Sequence, residues 1–89
     1  MKMNDRAGTL SDKLKALAHP QRLNIVEALA GQSANVSAIQ ANLGIPQPSV
    51  SAHLARLRSA GIIRGQRKGQ EINYELIDED TKKLLTLLN

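Results

Sequence analysis

Residues 37–61 read SAIQANLGIPQPSVSAHLARLRSAG, and the spacing predicts two helices joined by a tight turn. Ser37 stands before Ala38, Ile39, Ala41 and Leu43, and Gly44 follows them. An N-cap and a C-terminal glycine thus bracket a helix of about two turns. Ile45 and Pro46 make the connection. Pro48 suits the first turn of the next helix, where a missing N–H is no loss. Val50, Leu54 and Leu57 then recur at i, i+4 and i+7 until Gly61, which gives this helix a narrow apolar stripe. Its other sides carry Ser49, Ser51, Ala52, Arg56 and Ser59, small or hydrogen-bonding residues followed by a positive charge.

Downstream the period changes from 3.6 to 2. Ile62, Ile63 and Arg64 open one strand, and Ile72, Tyr74 and Leu76 alternate with Glu71, Asn73 and Glu75 in another. Gln66, Arg67, Lys68, Gly69 and Gln70 between them read as a hairpin tip, with glycine for a positive φ and two cations beside it. Asp78 offers an N-cap to a last helix whose ridge is Leu84, Leu85, Leu87 and Leu88. Upstream, Leu10, Leu14 and Leu17 lie on one helical face that runs out before Pro20. Pro20 then starts a second helix, striped by Leu23, Val26, Leu29 and Ala30, which Gly31 is placed to cap.

The expectation is a mainly α domain with a small β-hairpin, in the order α-α-α-α-β-β-α. Residues 1–89 form a single domain, with the paired helices at about 37–60, the hairpin at about 62–76 and flanking helices at about 9–18 and 78–89. A chain of 89 residues buries only roughly 60 to 65% of its unfolded surface, so pairing with a second copy is expected. Having no cysteine, it can form neither a disulfide framework nor a thiolate metal site. Tyr74 is the only aromatic residue among Phe, Trp and Tyr, which disfavours a stacking platform for single strands. No apolar run approaches the ~20 residues of a membrane span. The opening MKMNDRAGTLSD has no apolar signal region, so a cytoplasmic protein is expected.

The net charge of +4 is unevenly spread. All eight acidic residues lie outside Ala28 to Gln70, a stretch that holds Arg56, Arg58, Arg64, Arg67 and Lys68. An acid-free basic segment fits a polyanion, because each carboxylate nearby would repel phosphate. A short helix, a turn at Gly44, a longer helix and a basic-tipped hairpin is the order of a winged helix-turn-helix. The first helix braces the second, whose opening turn needs small or amide side chains to approach base edges in the major groove. Gln47, Ser49 and Ser51 meet that need. Gln47 can pair bidentately with adenine, while Arg67 and Lys68 can reach the minor groove or its phosphates. Arg56 lies on the groove side as a phosphate candidate, and Ser37 joins the candidate DNA-binding set at the start of the motif.

The segments LKALAHPQRLNIVEAL, QPSVSAHLARLRSAGII and RKGQEINY closely resemble the ArsR/SmtB family of winged-helix transcriptional repressors, over about residues 10 to 77. The resemblance implies a homodimer packed through the first and last helices, with Leu10, Leu14, Leu17, Leu84, Leu85, Leu87 and Leu88 at the interface. It also implies a palindromic double-stranded DNA operator, and it places Gln47, Ser49, Ser51, Ala52 and His53 toward the groove. The family's metal sensors resemble one another in a Cys-x-Cys pair or an Asp/His set on the last helix. Ser37 to Leu43 holds no cysteine, and the last helix has Asp78 and Asp80 but no histidine. No metal and no cofactor is expected, and the residues name no effector.

His19, just before Pro20, reads as a hinge or cap. His53 falls toward the apolar edge of its helix, where packing and DNA contact are both open. Arg22 reads as a solvated charge or an intramolecular brace. Neither histidine comes with a reason to meet a serine and a carboxylate, so an enzyme is not expected. Two rivals to a sequence-specific repressor are a nonspecific architectural DNA binder and a winged-helix protein-interaction module. The latter would show exposed apolar anchors where this chain has Ser, Ala and Arg.

Overall fold

The computed structural model describes residues 3–88, with side chains from residue 6 onward. Along them run α1 (Met3–Leu17), α2 (Pro20–Gly31), β1 (Ala34–Asn35), α3 (Val36–Leu43), α4 (Gln47–Ser59), β2 (Ile63–Lys68), β3 (Glu71–Leu76) and α5 (Glu79–Leu88). The expected helices and hairpin are present, with one addition. Ala34 and Asn35 pair antiparallel with Tyr74 and Asn73, which makes a three-stranded sheet in the order β1-β3-β2. Two residues are too few for an alternation to show in the sequence.

One core joins the helices to the base of the hairpin. Ile25, Val26 and Leu29 of α2 and Ile39 of α3 meet Val50, Leu54 and Leu57 of α4 there. Ile62, Ile63, Tyr74 and Leu76 close the core from the sheet side. Each such aliphatic side chain contributes about 1.5–3 kcal/mol on full burial, so the i, i+4, i+7 stripe of α4 is what holds that helix to the body. Gly65 lies opposite Tyr74 in the β2–β3 register. A Cβ at Gly65 would sit 3.0 Å from Ile72 Cγ2 and 3.1 Å from Tyr74 Cε1, so the ring packs across a position that has no room for a side chain without a shift.

Several boundaries differ from those expected. α1 begins at Met3 and not near residue 9; Arg6, Ala7, Gly8 and Thr9 are exposed, so no apolar period marks that part of the helix in the sequence. Gly31 remains helical, and the chain leaves α2 through Gln32 in an extended conformation (φ −168°) that leads directly into β1. Asn35, not Ser37, caps α3: its Oδ1 accepts from the Ala38 N–H at 2.8 Å. The pairing of β1 with β3 fixes Asn35 just before the first turn, which leaves Ser37 as a helical residue without the capping role. The hairpin turn is the two residues Gly69 and Gln70, with positive φ at Gly69 alone. That is the glycine placement of a type II′ turn, and it puts Arg67 and Lys68 at the end of β2, not in the loop. Residue 89, expected in the last helix, lies outside the described residues.

Candidate nucleic-acid interface

The turn into α4 is set by Gly44, which adopts φ +70° and donates its N–H to Gln40 O at 2.8 Å. This left-handed cap ends α3 abruptly. Pro46 then serves as the N-cap of α4 without a side-chain hydrogen bond, and no acidic residue stands in the first turn. Pro48 has no N–H and the Ser49 N–H donates to Pro46 O at 3.0 Å, so what this turn offers to whatever approaches from outside is the positive end of the helix dipole. Gln47, Ser49, Ser51 and Ala52 are exposed on these first turns, while Val50 is fully buried behind them. Ala55, outside the expected set, continues the same exposed face at i+3 from Ala52 and i+4 from Ser51.

In the wing, directly opposed residues share a face. Arg67 faces with Ile72 and Lys68 with Glu71, so successive positions send the two cations to opposite sides of the ribbon. Arg64 is occupied, because its guanidinium pairs with Glu75 across the hairpin. Among the described residues, neither Arg67 nor Lys68 enters an ion pair. Ser37 shares an open cleft of about 250 Å³ with Gln70, Glu71 and Ile72 near the wing.

Around α4 the structure decides between the alternatives that the sequence leaves open for several polar groups. Arg22 is an intramolecular brace. Its Nε donates to the carbonyl of Ala16, Nη2 reaches Lys15 O at 3.4 Å, and Nη1 reaches His53 Nδ1 at 3.4 Å. His53 is half-buried, with its ring centroid 4.5 Å from that of His19. Burial, and then the nearby His19 and Arg22, hold the His53 imidazole below its ordinary pKa. His19 caps α2, as its position before Pro20 suggests, with Nδ1 accepting from the Gln21 N–H at 3.1 Å. Arg56 is half-buried and paired with Asp12 of α1 at 3.1 Å. The expected phosphate ligand is thus held by a carboxylate from another helix.

The seven leucines of the terminal helices divide. Leu17 and Leu85 belong to the core, whereas Leu14, Leu87 and Leu88 are 58%, 79% and 72% exposed. Leu10, Leu14, Leu17 and Leu84 line a cavity of about 210 Å³ between α1 and α5, at whose polar end Lys13 meets Asp78 and Asp80. Among the described residues, no group of three His, Cys, Asp or Glu side chains is placed to hold a metal ion, and no helix is long and apolar enough to cross a membrane.

A short helix, a glycine turn, a longer helix with a polar exposed opening turn and a hairpin with cations at its end define a winged helix-turn-helix domain. Residues 19–64 match the model of the bacterial regulatory protein, arsR family. The chain is 37% identical to the biofilm growth-associated repressor of Agrobacterium fabrum, over 97% of this chain and 74% of that protein. It is 43% identical to the HTH-type transcriptional repressor SmtB of Mycobacterium tuberculosis over 83% of its length, but spans only 53% of SmtB. A homodimeric winged helix-turn-helix DNA-binding domain from Mycobacterium bovis superposes with a TM-score of 0.90 at 30% identity, covering 98% of this chain and 81% of that one. The chain belongs to the ArsR family.

Proposed function

We propose that this protein is a cytoplasmic homodimer that binds a palindromic double-stranded DNA operator and represses the adjoining genes. The observation that carries this reading is the exposed, acid-free opening turn of α4 in the same winged fold as two wing cations that form no ion pair among the described residues. Gln47, Ser49, Ser51 and Ala52 face base edges, with Gln47 as the specifying contact. Arg67, Lys68 and Ser37 hold phosphates, and Arg56 joins them once it leaves Asp12. His53 stands behind this face as a packing group. The two copies meet through α1 and α5, where Leu14, Leu87 and Leu88 supply apolar surface that one copy leaves open.

The reading assigns no catalytic role and no metal. The chain has no thiolate, its two imidazoles lie against each other, and His53 also meets Arg22. Zinc, cadmium, nickel and arsenite should accordingly leave DNA binding unchanged. Selection of bound fragments from random duplex DNA tests the function. Enrichment of an inverted repeat bound at least ~10³-fold more tightly than random duplex is expected. Equal affinity for all duplexes would point to an architectural binder.

A further inference from the structure

α1 ends at Leu17 with a carbonyl that its own helix cannot satisfy. The residue four positions beyond Ala16 is Pro20, which has no N–H to give. Ala16 is fully buried, so water is not available to replace the missing donor, and an unpaired carbonyl there would be costly. Arg22 supplies the donor through Nε. Its planar fork then has Nη1 left over, directed at His53 Nδ1 on α4. Because guanidinium only donates, Nδ1 of His53 is the acceptor, and the proton of the neutral imidazole sits on Nε2. One side chain from α2 therefore holds the end of α1 and the inner side of α4 together.

We propose that Arg22 is a positioning residue for operator recognition, fixing the seat of α4 on α1 by filling the Ala16 carbonyl and holding the His53 imidazole at once. The inference rests on the reading of α4 as the base-contacting helix and of α1 as a dimer helix. If α1 sets the distance between the two subunits, the seat of α4 on α1 sets where each Gln47 arrives in its half-site. A palindromic site demands both arrivals together, whereas random duplex demands neither. Arg22 thus acts on discrimination between duplexes while touching no DNA.

Arg22→Lys separates this role from simple helix capping. A lysine ammonium can still reach the Ala16 carbonyl, and it retains the charge, but it cannot span to His53 in the same geometry. The variant should remain a folded dimer, while its preference for the selected duplex over random duplex falls about tenfold. In the free protein, the amide resonances of Ala52 to Arg56 should move, although the substitution lies on α2. His53→Leu removes the acceptor from the other side and should lower the same ratio. The double variant should lose little more than either single one, because the two residues form one joint.

A ratio within twofold of the unsubstituted protein, α4 amides that stay in place, or losses that simply add would overturn the assignment. If Arg22→Lys does not fold, His53→Leu alone decides, and a ratio unchanged by it overturns the proposal. A selection that enriches no sequence refutes the functional reading and this inference with it. Enrichment together with unmoved α4 resonances refutes only the role of Arg22.

Discussion

Lys13 Nζ lies 2.7 Å from Asp78 Oδ1, and this contact between residues far apart in the chain ties α1 to the cap of α5. The second carboxylate oxygen of Asp78 accepts from the Thr81 N–H at 3.1 Å and from the Thr81 hydroxyl at 2.7 Å. Burial pushes the Asp78 carboxyl up, but the hydrogen bonds from Lys13 and Thr81 outweigh it and hold the group below its ordinary value of 3.8.

Asp78→Ala should therefore destabilise the protein by about 1–2 kcal/mol, since it removes an N-cap and leaves the buried Thr81 hydroxyl without its acceptor. The folded-state pKa is depressed, so the stability contributed by the ionised carboxylate is complete above 3.8 and is lost as pH falls through the lower folded value. Urea unfolding at pH 7 and at pH 3 checks both points. The gap between the two proteins should narrow in acid, and a gap that stays constant would contradict the linkage.

The pair Asp12–Arg56 gives a second expectation. In the free protein the Asp12 carboxylate occupies the guanidinium at the place a phosphate would take. Asp12→Asn releases it. Affinity for random duplex should rise, and the slope of log K against log salt should steepen by roughly 0.9 for each additional phosphate that a subunit neutralises. Fold stability should change by less than ~1 kcal/mol, because both partners are partly exposed. An unchanged salt slope in a filter-binding titration would show that Arg56 stays off the DNA.

What sequence could and could not convey follows from the range of the forces involved. Gly44, Gly61 and Gly69 all adopt positive φ, a local demand that glycine meets best, so the helix ends and the hairpin turn are legible from residue identity. The stripe of Val50, Leu54 and Leu57 is equally local. The cap of α3 is not. Asn35 and Ser37 are both good caps, and the choice falls to Asn35 through pairing of β1 with a strand much later in the chain. Arg22 reads as either a solvated charge or a brace, and Arg56 as a phosphate candidate, until the packing of α1 places Ala16, Lys15 and Asp12 within their reach. Periodicity marks Leu85 and Leu88 alike as apolar, yet only the assembled fold shows Leu85 buried and Leu88 open.

That division of the leucines makes the dimer testable without unfolding the protomer. Leu87→Glu combined with Leu88→Glu alters two side chains that are exposed within one copy. The variant should remain helical and sediment near 9.7 kDa, where the unsubstituted protein should sediment at about twice that mass. Leu85→Ala is the contrast. It opens the core and should cost about 2–5 kcal/mol in unfolding free energy. If the double glutamate substitution left the protein dimeric, the interface would lie elsewhere than the α5 end.

The opening turn of α4 and the wing should respond to substitution in different ways. Gln47→Ala removes a side chain that is exposed in the free protein, so it should leave stability within ~0.5 kcal/mol. It should nevertheless cost about 1–3 kcal/mol on the selected duplex and little on random DNA, since a base edge with the matching donor and acceptor is present only in the right sequence. Arg67→Ala and Lys68→Ala should weaken both duplexes alike and lower the salt slope by roughly 0.9 for each phosphate that a subunit no longer neutralises. The two cations stand on opposite faces of the ribbon, and Lys68 has Glu71 as its cross-strand neighbour whereas Arg67 faces Ile72. Arg67 therefore meets the phosphates with less local repulsion, and its loss should be the larger of the two. Competition binding over a range of salt concentrations reads all three variants together. Uniform weakening by Gln47→Ala, with wing substitutions that leave the slope untouched, would reverse the assignment of base reading to α4 and phosphate holding to the hairpin.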